Sequence, residues 1–116
     1  MGWQNTTMTI PLSGTASEDI DLSDIDGNWR IAHTSKRITF FSPTSLSETV
    51  QLYVGTGVAS YFVPLGDGFG NIVTMRSAEA QTQDGIVANA MRLTATTAVS
   101  TPRTWYINGV PEILLR

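Results

Sequence analysis

Five carboxylates, Glu18, Asp19, Asp21, Asp24 and Asp26, fall within nine residues and make up half of the ten in the chain. Ca²⁺ selects hard oxygen ligands crowded into one loop, so Asp19, Asp21, Asp24 and Asp26 form a weak calcium candidate. An EF-hand loop is excluded, because taking Gly27 as its glycine would make Leu22 the first ligand. Two other readings fit the same residues. Asp19 and Asp21 alternate with Ile20 and Leu22, as on a solvated strand face whose charge discourages edge pairing. An acidic patch is also suited to a basic surface on a partner.

His33 is the single histidine and the chain has no cysteine, so neither a zinc site nor thiolate chemistry can be assembled. The Ser and Thr residues carry no nucleophile elbow or triad context that would make His33 a general base. An enzyme is therefore not expected, nor is a cofactor. Gly66-Asp67-Gly68-Phe69-Gly70 lacks the spacing of a phosphate loop, and no lysine lies near it. It reads as a connection between strands, with Phe69 at an exposed tip able to contact a partner. Trp3, Tyr53, Tyr61, Trp105 and Tyr106 could together stack on sugar rings. Trp105 and Tyr106 are neighbours, so on a strand only one of them points inward, and the other faces solvent, a ligand or another subunit. The contact candidates are thus Trp3, Phe69, Trp105 and Tyr106.

The elements that must position these residues are strands. Apolar residues alternate with polar ones at Met8/Ile10/Leu12, Ile20/Leu22, Trp29/Ile31/His33, Ile38/Phe40 and Val50/Leu52/Val54, the signature of half-buried β-structure. Tyr61-Phe62-Val63 is a short run closed by Pro64. Ile72 to Arg76 reads as a further strand. Val87 to Thr96 reads as another, with Val87, Met91 and Leu93 facing inward. Asn108-Gly109, between Arg103–Ile107 and Val110–Leu115, predicts a closing type I′ hairpin. Turn residues separate the runs at Ser13-Gly14, Asp26-Gly27-Asn28, Ser42-Pro43, Gly55-Thr56-Gly57, Gly66-Asp67-Gly68 and Asp84-Gly85. Ser45 and Glu48 have capping-box spacing, though Ser45 reads better as the opening of a strand. The expected fold is an all-β antiparallel sandwich or jelly roll of about eight strands, with a small β-barrel as the alternative. Residues 1–6 read as an N-terminal arm and residues 7–116 as one domain.

Length and composition agree with this. The 116 residues suit a single core. Only 15% are charged, against about 25% in an average chain. Sixteen Thr and ten Ser make the polar surface mostly hydroxyl. The net charge of −3 and the scattered cations Arg30, Lys36, Arg37, Arg76, Arg92, Arg103 and Arg116 argue against a nucleic-acid partner. No apolar run is long enough for a membrane helix. Met1-Gly2-Trp3-Gln4-Asn5 has neither a basic start nor an apolar segment, so no secretory signal is expected.

Thr9-Ile10-Pro11-Leu12-Ser13-Gly14-Thr15-Ala16-Ser17, followed by Ile20-Asp21-Leu22, resembles the small β-sandwich virion proteins of tailed bacteriophages. The resemblance covers roughly residues 7 to 31 and, more weakly, Trp105 to Ile113. The middle departs from it, with no Asp-Gly-Gly turn after Phe40-Phe41. The resemblance implies a capsid decoration (cement) or accessory protein, made in the host cytoplasm and carried in the virion. It further implies binding to the major capsid protein or other virion proteins, often as a homo-trimer or another symmetric oligomer. A carbohydrate-binding module on a host-recognition appendage is the alternative.

Overall fold

The computed structural model describes residues 5–22, 35–55 and 61–111. Nine strands lie within them: β1 (Asn5–Ile10), β2 (Ile20–Asp21), β3 (Lys36–Phe41), β4 (Val50–Gly55), β5 (Phe62–Pro64), β6 (Thr74–Met75), β7 (Ala80–Ile86), β8 (Ala90–Ala95) and β9 (Arg103–Pro111). One sheet has the order β1-β9-β3-β7. The other has the order β2-β8-β4-β5, with β6 also on β4, and every pairing is antiparallel. β5 pairs with the Tyr53–Gly55 end of β4 and β6 with its Val50–Gln51 end, so the two act as one interrupted strand. The pairs β1·β9, β2·β8, β3·β7 and β4·β5/β6 are then the rungs of one long antiparallel hairpin rolled over itself, which is the jelly roll. Two separate sheets replace the barrel alternative.

The alternation in the sequence accounts for the core. Met8, Ile10, Ile38, Phe40, Trp105 and Ile107 project from one sheet, and Val50, Leu52, Met91 and Leu93 from the other, all buried. Each such side chain contributes about 1.5–3 kcal/mol on burial. Two polar clasps, at Arg103 and at Gln81, hold the sheets together. Arg103 Nε donates to Glu48 Oε1 at 2.9 Å, with both side chains nearly inaccessible, while Arg103 Nη1 donates to Ser45 O at 2.9 Å. Within the four-stranded sheet, Trp105 Nε1 donates to Ser42 Oγ, just past the end of β3, at 3.1 Å. Gln81 on β7 donates through Nε2 to Thr74 O and accepts from Arg76 N at Oε1.

Several expectations are overturned. The Asn108-Gly109 hairpin does not form, because β9 runs straight through it. Asn108 pairs with Asn5 on one side and Thr39 on the other, and Gly109 pairs with Ile38. Ladders on both flanks outweigh the local turn preference, and Asn108 Nδ2 adds a 2.6 Å bond to Asn5 Oδ1. Asp84-Gly85 is not a turn either. It is a bulge inside β7, where the register slips between Lys36 and Ile38 and Gly85 takes a φ of 69°. The Val87–Thr96 strand begins only at Ala90, and Val87 is exposed rather than inward. The Ile72–Arg76 strand shrinks to β6. Asn5 and Thr6, expected in the N-terminal arm, belong to β1, and residues 1–4 lie outside the described residues. The Trp29/Ile31/His33 run lies outside the described residues.

Candidate interaction surface

The outer face of the four-stranded sheet follows from the register. One row reads Thr7, Tyr106, Phe41, Ala80 across β1, β9, β3 and β7, and the next reads Asn5, Asn108, Thr39, Thr82. Alternation sends Trp105 into the core, fully buried, and leaves Tyr106 65% exposed. Trp105 is therefore removed from the contact candidates. The same logic splits Phe40 from Phe41, so Phe41, 47% exposed, stands directly opposite Tyr106. Three pairs of polar side chains around these rings are bonded to one another. Asn108 joins Asn5, the Thr39 and Thr82 hydroxyls lie 2.8 Å apart, and those of Thr9 and Thr104 lie 3.0 Å apart. Arg37 and Asp84, 2.6 Å apart, neutralise each other near one end of the face.

Phe69 occupies the tip of a finger projecting from the edge of the other sheet, and it is 88% exposed. Leu65 N donates to Leu52 O, Leu52 N donates to Val73 O, and Val73 N donates to Leu65 O, so the finger is rooted on β4. Above that root Gly66 bridges Ile72. The Asp67 carboxylate then accepts from Phe69 N at 2.7 Å and from Asn71 N at 3.2 Å. Those backbone donors, the Phe69 amide first, hold the Asp67 carboxyl below its ordinary pKa. Gly68 and Gly70, at φ 89° and 91°, supply left-handed backbone on either side of the ring.

The acidic stretch is placed by residues 15–22 running along β8. Ser17 N donates to Leu93 O, and Asp19 lands beside Arg92. Arg92 binds the Asp19 carboxylate with two nitrogens, at 2.7 and 3.2 Å, and its guanidinium sits 4.0 Å from the centre of the Phe62 ring. The Asp19 bond is the main cause that raises the Arg92 pKa. Burial lowers the Lys36 pKa, and the Asp21 charge opposes that shift. Asp19 and Asp21 therefore face cations of this chain, and among the described residues no three His, Cys, Asp or Glu side chains converge on a metal position. Asp24, Asp26 and Trp3 lie outside the described residues.

Sequence reasoning passed over Phe41, although the Phe40-Phe41 doublet carries the same signal as Trp105-Tyr106. It also passed over the Arg103–Glu48 pair, whose partners are far apart in the chain and leave no local trace. Comparison with known protein families, curated proteins and solved structures finds no match.

Proposed function

We propose that this chain is a non-enzymatic structural component of a tailed-bacteriophage virion, a capsid decoration or accessory protein that docks on the major capsid protein. The observation that carries this reading is the outer face around Tyr106 and Phe41. Asn5 with Asn108, Thr39 with Thr82 and Thr9 with Thr104 are already bonded in pairs, so a partner that covers the rings has few polar groups left to satisfy. Virus capsid domains commonly use the jelly roll, and the resemblance of residues 7 to 31 to virion β-sandwich proteins points the same way.

Area sets the manner of binding. Four strands about 4.8 Å apart and six residues long at about 3.4 Å each span roughly 400 Å². A standard interface uses about 800 Å² per partner. The face alone is too small for tight binding, so the Phe69 finger and neighbouring copies in a symmetric oligomer such as a trimer must supply the rest. Repetition around a shell then adds avidity.

Particles purified from a lysate of the organism encoding the chain, analysed by peptide mass spectrometry, should contain it in a fixed ratio to the major capsid protein. Particles that lack it overturn the reading.

A further inference from the structure

A groove of about 380 Å³ opens on the side of the sandwich where β7, at the edge of one sheet, faces β6 at the edge of the other. Thr74 and Arg76 line one wall, Gln81 and Gln83 the other, and Asp67 and Ile72 close it from the base of the finger. We propose that this groove binds a neutral saccharide whose hydroxyls are taken by Gln83, Asp67 and Arg76.

The volume lies within the range of about 300–1,000 Å³ usual for ligand sites. The lining is rich in hydrogen-bonding groups, and an apolar ligand would strip them of water without replacing it. The walls are held in place before any ligand arrives. Gln81 clamps Thr74 O at 3.0 Å and Arg76 N at 2.6 Å, so ordering the site costs little. Gln83 is half-buried and makes no side-chain hydrogen bond to another described residue. Its amide offers both a donor and an acceptor. Asp67 adds an acceptor, and Arg76, whose Nε is bound to Glu79, adds donors from its other nitrogens. Mixed donors and acceptors at short range suit vicinal hydroxyls, each of which gives and receives. Ile72, 40% exposed, offers an apolar patch to the C–H face of a ring.

Charge selects against the competing anionic ligands. Arg76 is the cation of the groove, and it is paired with Glu79 and shares the space with Asp67. A phosphate, sulfate or uronate would meet the Asp67 carboxylate and a guanidinium already neutralised by Glu79.

The groove adjoins the docking face at Ala80 and Thr82. Gln83 and Arg76 are not part of that face and Tyr106 does not line the groove, so variants at those positions let either proposal fail alone. The test is a titration of the isotope-labelled chain with neutral mono- and oligosaccharides, read by amide chemical shifts. One of them should saturate and move the Gln83 side-chain and Thr74 resonances. Gln83→Ala should weaken that binding about tenfold or more, while Tyr106→Ser, two strands away from the groove, leaves it unchanged. An otherwise unaltered spectrum for Gln83→Ala certifies the fold. No groove shifts with any neutral saccharide at about 10 mM, preference for an anionic sugar or a peptide, or wild-type affinity in Gln83→Ala would each overturn the proposal.

Discussion

Arg103 on β9 and Glu48 in the segment before β4 face each other across the two sheets, Nε to Oε1 at 2.9 Å, and both side chains are almost wholly shielded from water. Ser47 Oγ and Ser45 O take further guanidinium hydrogens, so the charged cluster is closely satisfied. Breaking one side of such a pair leaves the other charge buried without a counterion, which is far more costly than losing an exposed pair.

Glu48→Gln should therefore lower the melting temperature more than Asp84→Asn, which touches only the exposed Arg37 pair. Differential scanning calorimetry of the two variants checks the ranking, and equal effects would count against a structural role for the buried pair.

Acid sensitivity follows from the same residue. The Arg103 hydrogen bonds hold the Glu48 carboxyl below its ordinary pKa. A depressed folded pKa gives stability that is full above the unfolded value, about 4.3, and is lost as the pH falls through the folded value. Denaturation midpoints should thus fall steeply below about pH 4, and Glu48→Gln should flatten that slope. An unchanged slope in the variant would assign the acid transition to other carboxylates.

Trp105→Ala should cost about 3–5 kcal/mol in urea unfolding, the range for removing a large buried aromatic. Tyr106→Ala, one position along, should stay within about 0.5 kcal/mol, as exposed substitutions do. Similar losses at both positions would mean that the assignment of inner and outer faces is wrong.

The docking reading places its main cost elsewhere. Tyr106→Ser combined with Phe41→Ser should reduce rebinding to stripped particles by roughly 30-fold, equivalent to about 2 kcal/mol for a central aromatic contact. Thermal stability should be nearly unchanged. Full rebinding by the double variant would dismiss the face as the contact.

In the finger, Asp67→Asn keeps the size of the side chain but removes the charge that holds the Phe69 and Asn71 amides. Hydrogen exchange at those two amides should speed up while the Leu52 amide stays protected in the sheet. Uniform protection would show that Gly68 and Gly70 set the loop without help from the carboxylate.

Period-2 alternation was enough to read the fold class, because burial on one face imposes it directly: Ile38 and Phe40, Val50 and Leu52, and Met91 and Leu93 all point inward as their spacing requires. Turn chemistry was less reliable. Asn108-Gly109 and Asp84-Gly85 carry strong local turn preferences, yet the first is flanked by partners on both sides and the second is absorbed as a bulge. β7 escaped notice because its inward positions include Gln81 and Gln83, amides where an apolar pattern was sought. Gln81 is inward because it bonds the backbone of the opposite sheet, a pairing visible only once the chain has folded. The exposure of Phe69 was legible in its glycine loop, and alternation showed that one of Trp105 and Tyr106 must face outward but not which. The pairing of Tyr106 with Phe41 depended on a register that no local pattern encodes.

The two ends of the finger meet at a single residue of β4, since Leu65 and Val73 bond to the carbonyl and the amide of Leu52 and also to each other. Whatever chain leaves at Leu65 and returns at Val73 begins and ends at a closed doorway. Lengthening a flexible loop between fixed ends adds only about 0.6 kcal/mol per doubling. Residues 66–72 are therefore a natural grafting position, where a foreign peptide could replace the Phe69 tip and be displayed without disturbing either sheet.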